Sequence, residues 1–262
     1  MDFEKLKKCP QNSPFGKKIF GGINVDLLRI TAVVCMLSDH LWIVLNPYGN
    51  LLNYVGRVAF PIFAFLISEG FIHTSNLKKY FVRLCVFAVF SEIPFNLFCS
   101  GEIFYPEYQN VGFTLLMGLS AVFLLDKMRK DPTPKTLAVS GLLLVGIFVF
   151  SNYFNADYGI AGVTTVVAFY LFRDFPFAWV FQLVSLVILN VFVFPGRPVL
   201  IKIAGQIYKT HAQIFAVFSL IPIWLYNGKK RVCNKVFGKV FQCGFYAFYP
   251  VHLLLLYLLF LR

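Results

Sequence analysis

Charge is what this sequence has least of. Only 14% of its 262 residues are Asp, Glu, Lys or Arg, against about 25% in soluble domains, so there are too few solvated groups to cover a globule. The short alternating segments of an outer-membrane barrel are missing too. The six cysteines, at 9, 35, 85, 99, 233 and 243, form no CxxC and no pairing pattern, which removes a disulfide-stapled secreted domain. No HExxH is present and the histidines have no ligand spacing, so no metal is expected. Without a P-loop or a GxSxG elbow, nucleotide hydrolysis and serine-hydrolase chemistry have no support. Internal repeats and low-complexity tracts are also lacking.

What is present is apolar. Hydrophobic residues make up 58% of the chain and aromatics 18%, and the mean hydropathy is +0.71. The apolar runs are continuous and of helical length, the pattern of an all-α, polytopic transmembrane helix bundle. Nine spans are predicted at 23–46, 52–73, 79–98, 109–126, 135–152, 157–173, 176–194, 210–227 and 240–261. They form one membrane domain, 23–262, behind a polar, basic segment, 1–22. The first apolar run is too long for a signal-peptide core and is read as a retained span. Residues 197–209 are expected to be re-entrant or interfacial.

The 24 basic residues exceed the 12 acidic ones, and their distribution ties them to membrane topology and not to nucleic acid. With the N-terminus inside, 18 of them fall in cytoplasmic segments and four outside, and Arg29 and Arg57 lie within spans. The expected topology is N-in/C-out in a multi-pass protein.

Several ionisable groups sit where a bilayer penalises them. Asp26, Arg29, Asp39 and His40 fall in the first span, Arg57 and Glu69 in the second, Arg83 and Glu92 in the third, and His252 in the last. Each costs about 2.5–3.5 kcal/mol at mid-helix on the insertion scale. Asp26, Glu69 and Arg83 lie near predicted cytoplasmic ends, where ion pairing or snorkelling accounts for them equally well. Asp39, His40, Arg57 and Glu92 instead come from three consecutive spans and share the outer half, which predicts a water-filled polar cavity.

Arg29 and His40 are 11 residues apart, which returns a helix to within about 20° of the same face with a rise of about 16 Å. A cation at the cytoplasmic mouth suits an anionic cofactor, and an imidazole deeper in suits proton transfer. Asp39 points about 100° away from its neighbour, so either it or Glu92 is a candidate to orient His40. Pro61 is expected to kink the second span and Pro94 to break the third beside Glu92. Asn110 is read as a helix cap. His73 and His211 read as interfacial.

"MLSDH" (36–40), "GRVAFPIFAFLISEGFIHT" (56–74), "KKYFVRL" (78–84), "SEIPFN" (91–96), "YQNVGFTLL" (108–116), "AQIFAVFSLIPIWLYNGKK" (212–230) and "YAFYPVHL" (246–253) together resemble the TraX family of bacterial membrane proteins. That family is similar to the wider acyltransferase-3 group, whose first helix carries an Arg followed by a His at the spacing of Arg29 and His40. The resemblance implies a place in the bacterial cytoplasmic membrane. It also implies acetyl transfer from cytoplasmic acetyl-CoA to a peptide, amine or glycan acceptor, with pilin N-termini the best-known case. On that reading Arg29, Lys78, Lys79 and Arg83 hold the acyl-CoA. His40 is the general base or, less directly, the acetyl carrier, and Asp39 or Glu92 orients it. Arg57 binds the acceptor or the developing oxyanion, with Asn110 and His252 as further acceptor contacts. A transporter or flippase using the same charges as a proton or substrate path is the alternative, and a scaffold glued by polar residues is a third.

Overall fold

The computed structural model describes residues 22–45, 49–203, 206–228 and 235–262. Most of the predicted basic N-terminal segment, and Lys229, Lys230 and Arg231 of the last basic loop, lie outside the described residues. Helix α1 is Val25–Leu45, α2 Leu51–Gly56, α3 Ala59–His73, α4 Leu77–Ser100, α5 Val111–Lys130, α6 Pro134–Tyr153 and α7 Gly159–Leu171. Then come α8 (Ala178–Ile188, extended by a π turn over Leu189–Val193) and a hairpin of β1 (Pro198–Ile203) and β2 (Gln206–His211). A 3₁₀ segment, Ala212–Ser219, leads into α9 (Leu220–Trp224), and α10 (Lys235–Leu256) closes the chain through a π turn, Tyr257–Leu261.

Each of the nine expected spans corresponds to a helical stretch, but they are not equal. Among the described residues six are long and apolar enough to cross a bilayer, with α2 and α3 together counting as one. Gly159–Leu171, Ala178–Val193 and Ala212–Trp224 are shorter, and a full crossing needs about 20 residues. Local chemistry cuts them. Tyr158 and Phe177, immediately before α7 and α8, are both left-handed. Pro195 and Gly196 precede the hairpin, and the third piece begins as a 3₁₀ helix. The described residues of 197–209, expected to be re-entrant or interfacial, are not helical. They are largely an antiparallel ribbon in which Pro198 pairs with His211 and Ile203 with Gln206.

The prolines also behave differently from expectation. The second span breaks at Arg57–Val58, before Pro61, so that Pro61 lies in the first turn of α3, where a missing N–H costs nothing. Its ring would otherwise meet the carbonyl of Arg57 four residues back. Helix α4, by contrast, runs unbroken through Pro94; packing on α5 and α10 holds it together across the lost hydrogen bond.

Helix α3 is the axis of the bundle, packed against α1, α5 and α7 and buried through Ile62, Ala64, Phe65 and Ile67. Close approach needs small residues. A Cβ at Gly162 on α7 would overlap Thr114 of α5. A second apolar cluster joins α1, α4 and α10 through Met36, Phe98, Tyr249 and Leu253. Outward faces stay apolar: on α6, Leu142 is 74% exposed and only Ser140 and Ser151 are buried. Such a surface is stable against lipid and not against water.

Candidate functional site

The antiparallel run of α1, α3, α4 and α5 gives the bundle two ends. The start of α1, the ends of α3 and α5 and the start of α4 form the Arg29 end. The end of α1, the α2–α3 break, the end of α4, the starts of α5 and α7 and the hairpin surround His40. α1 is continuous between Arg29 and His40, so their shared stripe is preserved, and the same partner helix lies against both. The Arg29 guanidinium sits 5.9 Å from the Phe245 ring of α10. Two turns further along α10, His252 Nε2 is 2.7 Å from His40 Nδ1.

At the His40 end the two imidazoles stack with centroids 4.9 Å apart, and His252 Nδ1 is 2.8 Å from the Phe248 carbonyl oxygen. Phe98 meets His40 edge-on at 5.4 Å. His252 was expected to touch acceptor. Instead both of its ring nitrogens are engaged inside the protein and it is only 5% exposed.

Asp39 and Glu92, the two candidates to orient His40, bond elsewhere. The Asp39 carboxylate takes the Arg57 guanidinium on one oxygen and the Asn53 amide, at 2.8 Å, on the other. This pairing needs Gly56, where a Cβ would overlap Asp39. The helix break thus lets Arg57 fold back onto α1. Glu92 accepts from the Asn110 amide. Asn110 caps α5 by accepting from the Gly112 N–H at 2.8 Å, and it also donates to the Ala88 carbonyl. With 0% exposure and every polar atom engaged, Asn110 is a cap and an α4–α5 tie, with nothing left for acceptor.

Arg57 still has reach. His40 feels its charge, and Tyr158 and Asp157 neighbour it on the far side. The Tyr108 hydroxyl donates to Asp157 at 2.6 Å. Burial pushes the Asp157 carboxyl up to about 6, although the Tyr108 hydrogen bond and Arg57 pull the other way. Burial likewise raises the Tyr108 and Tyr158 phenols. Tyr158 is left-handed, with φ of 64°, a strained state for an aromatic residue and a mark of functional sites. Its ring stacks on Phe60 at 3.8 Å. It lines a cavity of about 230 Å³ with Glu107, Tyr108, Asn152, Asn155 and Phe194. The sequence places 157 only at the start of the predicted span 157–173; nothing in it reveals the backbone of Tyr158 or its approach to Arg57. Arg197, just before the hairpin, donates to Asn50 at 2.6 Å and covers the Trp42 ring at 3.9 Å, tying the hairpin to the site.

At the Arg29 end the four expected acyl-CoA residues divide. Arg83 and Arg29 both neighbour Tyr246 of α10 and Tyr80 of α4. Arg29 also pairs with Asp26 at 3.2 Å. Lys78 lies five residues before Arg83, about 140° around the helix, and lines a separate apolar groove of about 540 Å³ with Phe81, Phe123 and Ile147. Lys79 is exposed. The single four-base cluster is therefore corrected to a pair of guanidiniums on the α10 side. Glu69 is 4% exposed, 3.3 Å from His73 and 3.9 Å from Arg173, a structural ion pair. Among the described residues no group of three or more metal-ligating side chains forms.

The family model described as "TraX protein" matches residues 24–260. A Dichelobacter nodosus protein named as a probable fimbrial assembly protein FimC, serogroup H1, is 29% identical over 272 residues, covering 89% of this chain and 96% of its own. An uncharacterized protein, RP591, of Rickettsia prowazekii (strain Madrid E) is 26% identical over 83 residues, 32% of this chain and 33% of its own. No solved structure matches.

Proposed function

The chain belongs to the TraX family, and from that premise we propose that it is an integral-membrane acetyltransferase. It moves an acetyl group from cytoplasmic acetyl-CoA to an amine or hydroxyl at the opposite membrane face. One observation carries the reading: Arg29 and His40, on one stripe of α1, both face α10. The guanidinium pair lies at one end of that seam and the imidazole pair about 16 Å along it. The relative named for fimbrial assembly favours a pilin-like acceptor, and the Arg29–His40 spacing supports a place beside the acyltransferase-3 group.

The donor set at the Arg29 end suits a polyphosphate anion: Arg29 and Arg83, backed by the phenols of Tyr80 and Tyr246, offer charge-assisted donors in fork geometry. Acetyl-CoA supplies the activated acetyl thioester. His40 Nε2 takes the proton from the acceptor nitrogen or oxygen as that atom bonds to the acetyl carbon. The carbon–sulfur bond breaks with its electrons going to sulfur, and the proton held on His40 passes to the departing thiolate. Arg57, anchored by Asp39 beside His40, offers positive charge to the carbonyl oxygen as it becomes anionic.

The test is acetyl transfer in proteoliposomes with radiolabelled acetyl-CoA on one side and a free-amine pilin peptide on the other. His40→Ala lowers kcat by on the order of 10²–10⁴. Arg83→Gln raises KM for acetyl-CoA about tenfold or more with kcat nearly unchanged, the loss of one charge-assisted contact. Full activity in His40→Ala would rule the mechanism out.

A further inference from the structure

We propose that His252 is a positioning residue that fixes His40 in the Nδ1–H tautomer, so that His40 presents a bare Nε2 to the acceptor. The inference rests on the acetyl-transfer reading for its consequence but on geometry alone for its content.

A carbonyl oxygen only accepts. The 2.8 Å contact between His252 Nδ1 and the Phe248 carbonyl therefore places a proton on His252 Nδ1. In the uncharged ring this leaves Nε2 of His252 as an acceptor. The 2.7 Å contact from His40 Nδ1 to that nitrogen then has one solution: His40 donates, and its own Nε2 carries the lone pair. The chain of bonds runs His40 Nδ1–H to His252 Nε2, then His252 Nδ1–H to Phe248 oxygen. Each donor is matched to an acceptor and one lone pair is left over, at the catalytic nitrogen.

Aromatic rings pack against both imidazoles. His252 is held between Phe248, stacked at 4.7 Å, and Tyr249 at 5.8 Å, and His40 is held by Phe98 at 5.4 Å. Packing thus selects the geometry and hydrogen bonding selects the tautomer. The two carboxylates that are candidates for this role, Asp39 and Glu92, are committed to Arg57 and Asn110, so the second imidazole takes the place a carboxylate holds in a hydrolase triad. It also changes what happens when His40 takes a proton. The Nδ1 proton can pass to His252 Nε2, and the single extra charge is then shared by two rings, one of them already bonded to a carbonyl.

Two measurements test this on the full-length protein in detergent micelles. With ¹⁵N-labelled histidine, four side chains report, and His40→Gln and His252→Gln assign the two that matter. The expected spectrum shows protonated Nδ1 and bare Nε2 on both His40 and His252. A proton on His40 Nε2 overturns the proposal, whatever the activity. In proteoliposomes, His252→Phe keeps the ring packing but removes the acceptor. It lowers kcat for acetyl transfer by on the order of 10²–10⁴ at unchanged KM for acetyl-CoA. His252→Gln, whose side-chain oxygen accepts from His40, restores a substantial part of that loss. Equal kcat in wild type and His252→Phe overturns the proposal. Should His252→Phe not fold, the wild-type spectrum and His252→Gln decide alone. The expected tautomers in a protein that transfers no acetyl group would sink the acetyltransferase reading while leaving the histidine pair intact.

Discussion

At the scale of the residue, what the carboxylates and imidazoles around α1 are bonded to decides what each can do. Asp39 is committed to Arg57 and Asn53, Glu92 to Asn110, and His252 to His40 and a carbonyl. His40 alone in that set retains an unengaged nitrogen. Asp157, in the loop before α7, is the group whose titration is open to measurement. Its carboxyl is raised from the usual 3.8 to about 6, chiefly by burial. The folded state therefore holds the proton more tightly than the unfolded chain. Its contribution to stability is fully present below the ordinary carboxylate value and is lost as pH rises through about 6. Asp157→Asn keeps an oxygen for the Tyr108 hydroxyl and cannot ionise. Thermal unfolding in detergent between pH 4 and pH 7 should show wild type losing stability relative to Asp157→Asn across that window. A constant difference between the two would contradict the assignment.

At the scale of the element, the helices end and break where donors and acceptors demand it. Asn76, Asn110 and Thr133 cap α4, α5 and α6 by accepting from backbone N–H groups, as small polar residues do at N-termini. Gly101 closes α4 with a φ of 78°. Asn110 combines capping with the bond to Glu92, so its loss acts twice. Asn110→Ala should cost about 1 kcal/mol for the cap and a further 1–3 kcal/mol, roughly, for the carboxylate left without its donor. A clearly lower unfolding temperature checks this; Asn110→Asp, which keeps the cap but sets a second carboxylate against Glu92, should be no better. The break between α2 and α3 is the element that builds the site. It frees Arg57 from a continuous helix, and Gly56 gives Asp39 room to meet it.

At the scale of the whole molecule, the two ends of the α1–α10 seam must face opposite compartments for the proposed transfer. Single cysteines in a cysteine-free background test the arrangement. Lys130→Cys, at the end of α5 on the Arg29 side, should label only from the cytoplasm, and Glu102→Cys, beyond α4 on the His40 side, only from the other face; labelling of both from one side would defeat the topology. Much of this molecule follows from its composition and spacing. A chain so poor in charge and so rich in apolar runs has to satisfy its backbone within helices inside a bilayer. Helical periodicity alone places Arg29 and His40 on one stripe, because rotation per residue is fixed. Asn110 is legible as a cap for the same local reason. Only the tertiary structure decided the partners. Which side chain meets His40 depends on how α10, more than 200 residues away in the chain, lies against α1, and two carboxylates nearer in sequence lost that place to His252. The hairpin at 198–211 and the strained Tyr158 were hidden too, since long-range packing, and not local pattern, sets a backbone against its intrinsic preference.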